Sequence, residues 1–219
     1  MSNKHLPLLE INNIYNMDCI DGMRLMREQG IKPDWIITDP PYGISVNNNM
    51  GRRKCDKNSD YKEAYWDKER LPKEYFDLML KTADKCVIFG GNYYTDYLPP
   101  SKSWICWDKV LSEDLTFSQI ELAWTNAECM SKIIKCFPNG AEKRIHPTQK
   151  PLPVIEWIIN KYTNEGDLIL DPFMGSATTA IACHKLNRRY IGFELDEEYY
   201  RLGIARIESE KAQLSIFDL

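Results

Sequence analysis

The stretch Trp35-Ile36-Ile37-Thr38-Asp39-Pro40-Pro41-Tyr42-Gly43 decides the fold and marks a first candidate site. Its first four residues form a short apolar, β-branched run that predicts a buried strand. Pro41 fixes its own φ and pushes Pro40 toward extended geometry, so neither a strand nor a helix continues past Asp39. The Asp39 carboxylate, the Pro40 carbonyl and the Tyr42 ring are therefore presented at a strand's carboxyl end, where open α/β sheets bind ligands.

These three groups suit an amino group attached to an aromatic base. Such an amino group is a poor nucleophile, because its lone pair is delocalised into the ring. Two acceptors that bind its two N–H groups favour a tetrahedral nitrogen, and Asp39 and the Pro40 carbonyl are acceptors of this kind. The Tyr42 ring offers a stacking face for the base. The alternative interpretation is a rigid loop with a solvated aspartate.

Length and composition indicate one soluble domain. With 219 residues the chain is long enough to bury a full hydrophobic core. Its seven cysteines include no Cys-x-x-Cys pair, and none of its three histidines pairs with a cysteine at metal-ligand spacing. This pattern favours a reducing compartment and argues against structural zinc. Residues 1–10 lack the apolar core of a signal peptide, and no run reaches membrane-span length. We expect a cytoplasmic protein that holds no metal.

The net charge of −4 does not exclude a nucleic-acid partner, because the charges are unevenly distributed. Residues 194–219 hold seven acids and three bases, so the rest of the chain is neutral overall. Residues 51–57 hold four bases and one acid, and residues 132–150 hold five bases and one acid. Both segments are candidates for phosphate contact, and the alternative is that each is a solvated face.

Apolar runs and amphipathic segments alternate along the chain and predict an α/β fold with a mostly parallel, doubly wound sheet. Residues 44–68 are polar without apolar periodicity, and we interpret them as a mobile loop. The basic segment 132–144 has no predicted element. The predicted strands are 8–16, 35–38, 86–89, 103–107, 119–125, 168–170 and 190–193. The predicted helices are 21–30, 72–85, one after Pro151 that ends before Gly166, 176–187 and 197–212.

A second candidate site follows the strand predicted at 168–170. From Asp171 to Thr179 the sequence reads as a turn and a helix start, where Gly175 allows close approach of a ligand and the helix N-terminus is electropositive. Glu194 ends the next strand, about twenty residues later, where an acid typically accepts hydrogen bonds from ribose hydroxyls. No Gly-x-Gly-x-x-Gly is present, so a mononucleoside is favoured over a dinucleotide, and a nucleotide-binding dehydrogenase is disfavoured.

Three motifs in this order carry a family resemblance: Asp39-Pro40-Pro41-Tyr42, His146-Pro147-Thr148-Gln149-Lys150-Pro151 and Asp171-Pro172-Phe173-Met174-Gly175-Ser176. Over about residues 10–210 the chain resembles the amino DNA methyltransferases that use S-adenosylmethionine. The catalytic motif lies ahead of the glycine motif, which resembles their β group. The resemblance implies a class I, Rossmann-like methyltransferase domain over residues 1–212, with a mostly parallel seven-stranded sheet and a circularly permuted motif order.

The resemblance also implies a catalytic set of Asp39, Pro40 and Tyr42. The first two would hold the target amino group, and Tyr42 would stack on a base that leaves the helix at a cost of a few kcal/mol. The amino nitrogen would take the methyl group directly, so the protein positions and polarises this group and needs no cysteine nucleophile. Aspartate as the first motif residue favours adenine N6, with cytosine N4 as the alternative. The implied DNA contacts are Tyr42, Arg52, Arg53, Lys54, Lys143 and Arg144.

The family pattern implies a cofactor set spread over the motifs. Asp18-Cys19 would lie near the adenine, Glu194 on the ribose, and Thr148 and Lys150 near the carboxylate of S-adenosylmethionine. Family members commonly have glycine where Ala177 stands, and we expect the Ala177 methyl group to crowd the cofactor slightly. The whole set is Asp18, Cys19, Asp39, Thr148, Lys150, Asp171, Pro172, Phe173, Gly175, Ser176, Thr178 and Glu194.

Two regions are candidates for DNA recognition: residues 101–145, which correspond to the family's variable recognition region and are short here, and the loop 44–68. The family also implies double-stranded DNA as the partner, restriction–modification as the setting, and pairing into homodimers. Three alternatives remain open. The same pocket would also suit methylation of RNA or of free nucleotides, and the chain would also suit a DNA- or clamp-binding protein that has lost catalysis.

The chain ends Gln213-Leu214-Ser215-Ile216-Phe217-Asp218-Leu219, outside the domain predicted above. This tail resembles the short peptide by which bacterial replication and repair proteins dock on the sliding clamp, with Gln213, Leu214 and Phe217 as the anchoring residues. A free terminus with several apolar side chains is suited to binding a partner groove. The alternative is that Ile216 and Phe217 pack back on the domain.

Overall fold

A computed structural model of the protein describes residues 7–44, 68–112, 118–138, 145 and 148–217, and for residues 214–217 it describes the backbone alone. The strands within these residues are β1 (Asn13–Asn16), β2 (Trp35–Thr38), β3 (Lys85–Phe89), β4 (Ser103–Asp108), β5 (Ile120–Thr125), β6 (Lys132–Lys135), β7 (Leu168–Asp171) and β8 (Arg189–Glu194). The helices are α1 (Cys19–Glu28), α2 (Lys73–Thr82), α3 (Leu152–Tyr162), α4 (Thr178–Lys185) and α5 (Glu197–Phe217), with a short 3₁₀ helix at Gly91–Tyr93.

The strands form one sheet in the order β1-β8-β7-β2-β3-β5-β4-β6. β5 runs antiparallel to β3 and β4, and the other neighbouring pairs are parallel. The predicted α/β class and mostly parallel sheet are therefore confirmed. β2 and β7 are neighbours in the sheet. The strand before the Asp-Pro-Pro-Tyr motif, β2, comes earlier in the chain than the strand before the glycine motif, β7, as the permuted motif order requires.

The sheet has eight strands, not the seven expected, because β6 pairs with β4 at one edge. β6 lies within the basic segment 132–144, for which the sequence predicted no element. Its sequence Lys-Ile-Ile-Lys gives too short an apolar pattern to indicate a strand, and Ile133 is 67% exposed. An edge strand needs fewer buried side chains than a central one, so its sequence signal is weak.

The two faces of the sheet are covered by different helices. Helices α1 and α2 pack on one face, and α3, α4 and α5 pack on the other. Side chains along β2 alternate between the faces, since Ile36 belongs to the first core and Ile37 to the second, and both are at most 1% exposed. Burial of each such side chain contributes roughly 1.5–3 kcal/mol, which fixes β2 in the sheet and with it the position of Asp39.

Helix ends differ from the predicted ones at two places that concern function. α1 begins at Cys19, two residues before the predicted start, because Asp18 caps it by accepting from the Ile20 amide at 2.8 Å. α5 continues to Phe217, beyond the predicted end at Ala212, because residues 213–217 lack a glycine or proline that would stop it. The proposed clamp-binding residues Gln213, Leu214 and Phe217 therefore lie on a helical backbone.

Several predicted features fall outside the residues that the structure describes. Most of the loop 44–68 does so, since residues 45–67 are not described. The same holds for the predicted DNA contacts Arg52, Arg53, Lys54, Lys143 and Arg144. In the described part of the chain, no helix is both long enough and apolar enough to span a membrane.

Candidate active site

The carboxyl ends of β1, β2, β7 and β8 open onto one cavity of about 690 Å³, a size typical of small-molecule sites. All residues of the implied cofactor set line it, from Asp18 after β1 to Glu194 at the end of β8. The catalytic motif reaches the same cavity through Asp39 and Pro41. The two Asp-Pro strand ends therefore meet, as their places at the ends of parallel strands predicted.

The turn after β7 is held by side chains on both sides of it. The Asp171 carboxylate accepts hydrogen bonds from Thr38 Oγ1 at 2.7 Å, the Phe173 amide at 3.1 Å and Thr179 Oγ1 at 2.6 Å. Burial raises the pKa of Asp171 to about 6, although these three donors act to lower it. Asp171 therefore organises the turn and the strand ends around the cavity.

Ala177 is the N-cap of α4 and has φ 60° and ψ 24°, in the left-handed region. This conformation suits glycine better than alanine, which accounts for the glycine common in the family. The Ala177 methyl group is buried in the core, and a Cβ placed on Gly203 of α5 would lie 3.4 Å from it. Among the described residues, Ser176 and Thr178 line the cavity but Ala177 does not. The position of this methyl group, beside α5 and away from the cavity wall, speaks against the expectation that it crowds the cofactor.

Two acidic side chains, Asp18 and Glu194, line the part of the cavity that follows β1 and β8. Glu194 accepts from the Gly175 amide at 2.8 Å and from the Asp196 amide at 2.9 Å, and burial raises the pKa of Glu194. Asp18 caps α1 as described above. Beside it, burial raises the pKa of the Cys19 thiol to about 12, so this thiol stays protonated at neutral pH. Cys19 is thus a small apolar wall residue and not a nucleophile.

At the catalytic end, Asp39 belongs to a buried cluster of charged side chains. The Lys150 ammonium pairs with Asp39 Oδ2 and lies 2.8 Å from Glu121 Oε1. The Tyr42 hydroxyl lies 2.5 Å from Asp39 Oδ1 and 3.0 Å from Glu121 Oε1. On the outer side, Lys109 lies 3.1 Å from Glu121 Oε2. The cluster alternates positive and negative groups, so each buried charge has an opposite partner.

The pKa values of this cluster follow from burial and from the neighbouring charges. Burial raises the pKa of Asp39, with Lys150 opposing this and Glu121 adding to it. Burial also acts to raise the pKa of Glu121, but the ammonium groups of Lys150 and Lys109 outweigh it and bring this pKa down to about 2. Lys150 has a raised pKa because its two carboxylate partners outweigh burial. Glu121 is therefore the permanent anion of the cluster, and Asp39 is its more basic carboxylate.

The catalytic motif is held in place by residues that follow β3. The Tyr94 hydroxyl donates to the Pro41 carbonyl, and the Tyr42 ring packs across Gly90. Gly90 has φ 64°, and a Cβ added there would lie 2.0 Å from the Tyr42 ring. Tyr93, which is 42% exposed, stacks on Tyr42 with ring centroids 4.9 Å apart. The loop after β3 thus fixes the position of the Tyr42 ring beside Asp39.

The chain is similar to known DNA methyltransferases. Residues 99–205 match the family model N6_N4_Mtase, described as DNA methylase. The type II methyltransferase M2.MboI of Moraxella bovis is 29% identical over 89% of this chain and 86% of that protein. The type II methyltransferase M.HpaI of Haemophilus parainfluenzae is 44% identical over 88% of this chain and 73% of that protein. The chain belongs to the N6/N4 DNA methylase family. The crystal structure of the M1.HpyAVI–SAM complex has a TM-score of 0.62 at 26% identity and covers 89% of this chain and 98% of that chain.

As an N6/N4 DNA methylase, the protein is a DNA methyltransferase with S-adenosylmethionine as its cofactor. The cavity fits this molecule by its chemistry. Apolar walls at Leu71, Phe173 and Phe193 suit a nucleoside, and the carboxylates of Asp18 and Glu194 suit its polar groups. Within the described residues, no group of three or more His, Cys, Asp or Glu side chains is arranged to hold a metal ion.

Sequence reasoning about the methylase site missed the residues that come from β5 and from the loop after β3. Glu121 lies outside every motif, and its signal was a single glutamate in the otherwise apolar strand Ile120–Thr125. Tyr93 and Tyr94 gave no signal beyond the glycine pair that precedes them. Lys150 also makes contacts that the sequence did not predict. The family pattern placed it near the cofactor's carboxylate, whereas the structure brings its ammonium to Asp39 and Glu121.

Proposed function

We propose that this methylase transfers a methyl group to the exocyclic N6 amino group of adenine, at a specific sequence in double-stranded DNA. The observation that carries the proposal is the position of Asp39, whose side chain lines the cofactor cavity and which is followed directly by Pro40. Asp39 lines that cavity, and among the described residues none donates a hydrogen bond to the Pro40 carbonyl. We propose that an amino group bound at Asp39 has two acceptors beside the methyl donor, the Asp39 carboxylate and the Pro40 carbonyl.

The chain's residues prepare the amino group for reaction. Bound S-adenosylmethionine supplies a methyl group on a positively charged sulfur. Asp39 and the Pro40 carbonyl accept the two N–H groups and thereby turn the nitrogen lone pair out of the aromatic system. After the new N–C bond forms, Asp39 is the carboxylate placed to take the proton that the nitrogen loses. Holding the amino group in this geometry lowers the entropic part of the barrier.

The target base must leave the DNA stack to reach the rim of the cavity. We propose that it stacks on the aromatic surface formed by Tyr42 and Tyr93. Stacking of a base on an aromatic side chain is worth about 1–3 kcal/mol, enough to offset much of the cost of unstacking. The aromatic pair is partly exposed, as a surface that receives an incoming base must be.

Adenine is the proposed base because the motif begins with aspartate, which within the family favours N6 of adenine. N4 of cytosine is the second candidate, because its amino group is also attached to an aromatic ring and offers the same two N–H donors. Restriction–modification is the setting that the names of the type II relatives support.

The test is transfer of a labelled methyl group from S-adenosylmethionine to mixed-sequence DNA by purified protein. Asp39→Ala is expected to lower the rate by at least about a thousandfold, because one amino acceptor and the proton acceptor are lost together. Asp21→Ala is the matched control, since Asp21 lies on the surface of α1 with its side chain 76% exposed. An Asp39→Ala protein that methylates DNA as fast as the control would refute the proposal.

DNA binding is proposed to use the recognition region 101–145, the loop 44–68 and their basic residues. Neutralising Arg52, Arg53 and Lys54 together should weaken DNA binding. The salt dependence of binding should also fall, by the contribution of about three phosphate contacts.

We further propose a homodimer, which light scattering coupled to gel filtration measures directly. A single mass of 25.6 kDa over a wide concentration range would contradict it.

The end of α5 is proposed to bind a bacterial sliding clamp through Gln213, Leu214 and Phe217. Since residues 213–217 have a helical backbone, binding as an extended peptide would require this last part of α5 to unwind. A frayed helix end costs little to unwind, because few backbone hydrogen bonds are lost there. Retention on immobilised clamp should fall when Leu214→Ala and Phe217→Ala are combined, and equal retention of both proteins would end the idea.

A further inference from the structure

We propose that Glu121 is a positioning residue of the methyl transfer, which takes the Tyr42 hydroxyl and the Lys150 ammonium from Asp39 when the target amino group binds. This inference rests on the proposed function and adds to it a residue outside the family motifs. Asp39, the residue proposed to receive the amino group, is surrounded by hydrogen-bond donors that this group must replace.

Asp39 is occupied on both oxygens when no base is bound. Its Oδ1 accepts from the Tyr42 hydroxyl at 2.5 Å, and its Oδ2 accepts from the Lys150 ammonium. An amino group that arrives at Asp39 must therefore compete with two donors, one of them positively charged. Tyr42 and Lys150 thus hold Asp39 in a closed pair until these two donors are drawn to another acceptor.

Glu121 supplies that other acceptor. Its Oε1 lies 3.0 Å from the Tyr42 hydroxyl and 2.8 Å from the Lys150 ammonium, so both donors of Asp39 already reach it. The Tyr42 hydroxyl has a single proton and two carboxylate oxygens within hydrogen-bond distance, and rotation of this O–H moves the bond from Asp39 to Glu121. The side chains of Tyr42 and Lys150 need no new rotamer for this exchange.

The charges around Glu121 suit the role. Lys109 on the outer side and Lys150 on the inner side keep Glu121 ionised, so it remains a strong acceptor when Asp39 takes up a proton. In return, the negative charge of Glu121 offsets Lys150 at Asp39 and preserves the basicity of that carboxyl group. The groups that face Asp39 are Tyr42, Lys150 and Glu121, with Asp171 further away on β7.

A double-mutant cycle on the full chain tests this role by single-turnover methyl transfer. Glu121→Gln is expected to lower the rate about thirtyfold in the wild-type background, with the dissociation constant of S-adenosylmethionine changed less than threefold. In a Tyr42→Phe background the hydroxyl no longer occupies Asp39, so the same substitution should cost only about fivefold. The matched control is Glu156→Gln, which removes the charge of an ion pair with Lys185 away from the cavity, and should leave the rate unchanged.

Two results would overturn the proposal. One is an equal cost of Glu121→Gln in both backgrounds, which indicates a merely structural role. The other comes from ¹³C NMR titration of the Asp39 carboxyl, assigned with Asp39→Asn. We expect Glu121→Gln to lower the pKa of Asp39, because the positive charge of Lys150 is then no longer offset by Glu121. The acid limb of the pH–rate profile should move to lower pH as a result. An unchanged or raised pKa of Asp39 would contradict the role of Glu121. This titration can be measured even if the wild-type protein transfers no methyl group. Absence of methyl transfer by the wild type would instead overturn the proposed function itself.

Discussion

Thr38 Oγ1 donates a hydrogen bond of 2.7 Å to Asp171 Oδ1, and this bond joins the strands that carry the two halves of the active site. Thr38 is the last residue of β2, directly before Asp39, and Asp171 ends β7 directly before the cofactor turn. The backbone pairing of the two strands is in register at Trp35 with Ile169 and at Ile36 with Leu170. Beyond Ile36 this side-chain bond continues the connection and fixes the end of β2, and so Asp39, relative to the turn that follows β7.

Thr38→Val tests that connection, since valine keeps the shape of threonine and removes the hydroxyl. The buried Asp171 carboxylate would lose one of its donors, so the free energy of unfolding should fall by about 1–3 kcal/mol. Thr38→Ser keeps the donor and should recover most of the loss. Urea unfolding of the three proteins measures it, and a Val variant as stable as the Ser variant would contradict the importance of the bond.

Asp171 predicts a specific pH dependence of stability. Its pKa is about 6 in the folded protein against 3.8 for an ordinary aspartate, so the folded state holds the proton more tightly. The stabilisation is complete below about pH 4, and it is lost as pH rises through the folded-state pKa near 6, a difference of about 3 kcal/mol. Asp171→Asn, whose amide can donate to Thr179 Oγ1, should therefore gain stability relative to the wild type between pH 4 and pH 7.

Denaturant midpoints across this pH range check the prediction for Asp171. The matched control is Asp21→Asn, the same substitution at an exposed side chain of α1 outside the cavity. A constant difference between Asp171→Asn and the wild type from pH 4 to pH 7 would show that Asp171 has an ordinary pKa.

Gly90→Ala should slow methyl transfer strongly while leaving cofactor binding intact. Gly90 has a left-handed conformation that costs alanine about 1–2 kcal/mol, and the new methyl group would displace the Tyr42 ring. Because Tyr42 packs directly beside Asp39, misplacement of the ring should lower the rate of methyl transfer by about a hundredfold. Calorimetry should find S-adenosylmethionine affinity within threefold of wild type. Full activity in this variant would show that the Tyr42 position does not matter.

Ala177→Gly is expected to leave cofactor affinity unchanged, within about twofold. The substitution relieves the strain of the left-handed backbone at Ala177. It also removes a buried methyl group and raises the conformational entropy of the unfolded chain. Because these effects oppose each other, the free energy of unfolding should change by less than about 1 kcal/mol. Calorimetric titration with S-adenosylmethionine checks it. A large gain in affinity would mean that the methyl group does reach the cofactor, against its position beside α5.

The strands that carry the site could be predicted because each combines an apolar run with a stop signal. Trp35–Thr38 is bounded by two prolines, and Leu168–Asp171 by Pro172, so both strands and their shared edge follow from local sequence. β6 could not be predicted, because it is held mainly by pairing with β4 and only Ile134 of its four side chains is buried. Its formation depends on residues distant in sequence, which local periodicity does not show.

The same distinction applies to the active site. Residues of the motifs line the cavity as their sequence spacing suggested, but Glu121 reaches Asp39 from a strand with no motif of its own. Its contacts with Tyr42 and Lys150 depend on how the antiparallel β5 packs beside β3, a tertiary relationship that no local pattern encodes. The orientation of Ala177 was likewise fixed by its backbone conformation, which the sequence did not reveal.

The most direct test of the central claim is to identify the methylated nucleoside. DNA of mixed sequence is incubated with the protein and S-adenosylmethionine, digested to nucleosides and analysed by mass spectrometry, with Asp39→Ala as the comparison. We expect N6-methyladenine with the wild-type protein and none with Asp39→Ala. N4-methylcytosine in its place would contradict the assignment of adenine, and no methylated nucleoside from protein that binds S-adenosylmethionine would contradict the proposed reaction on DNA.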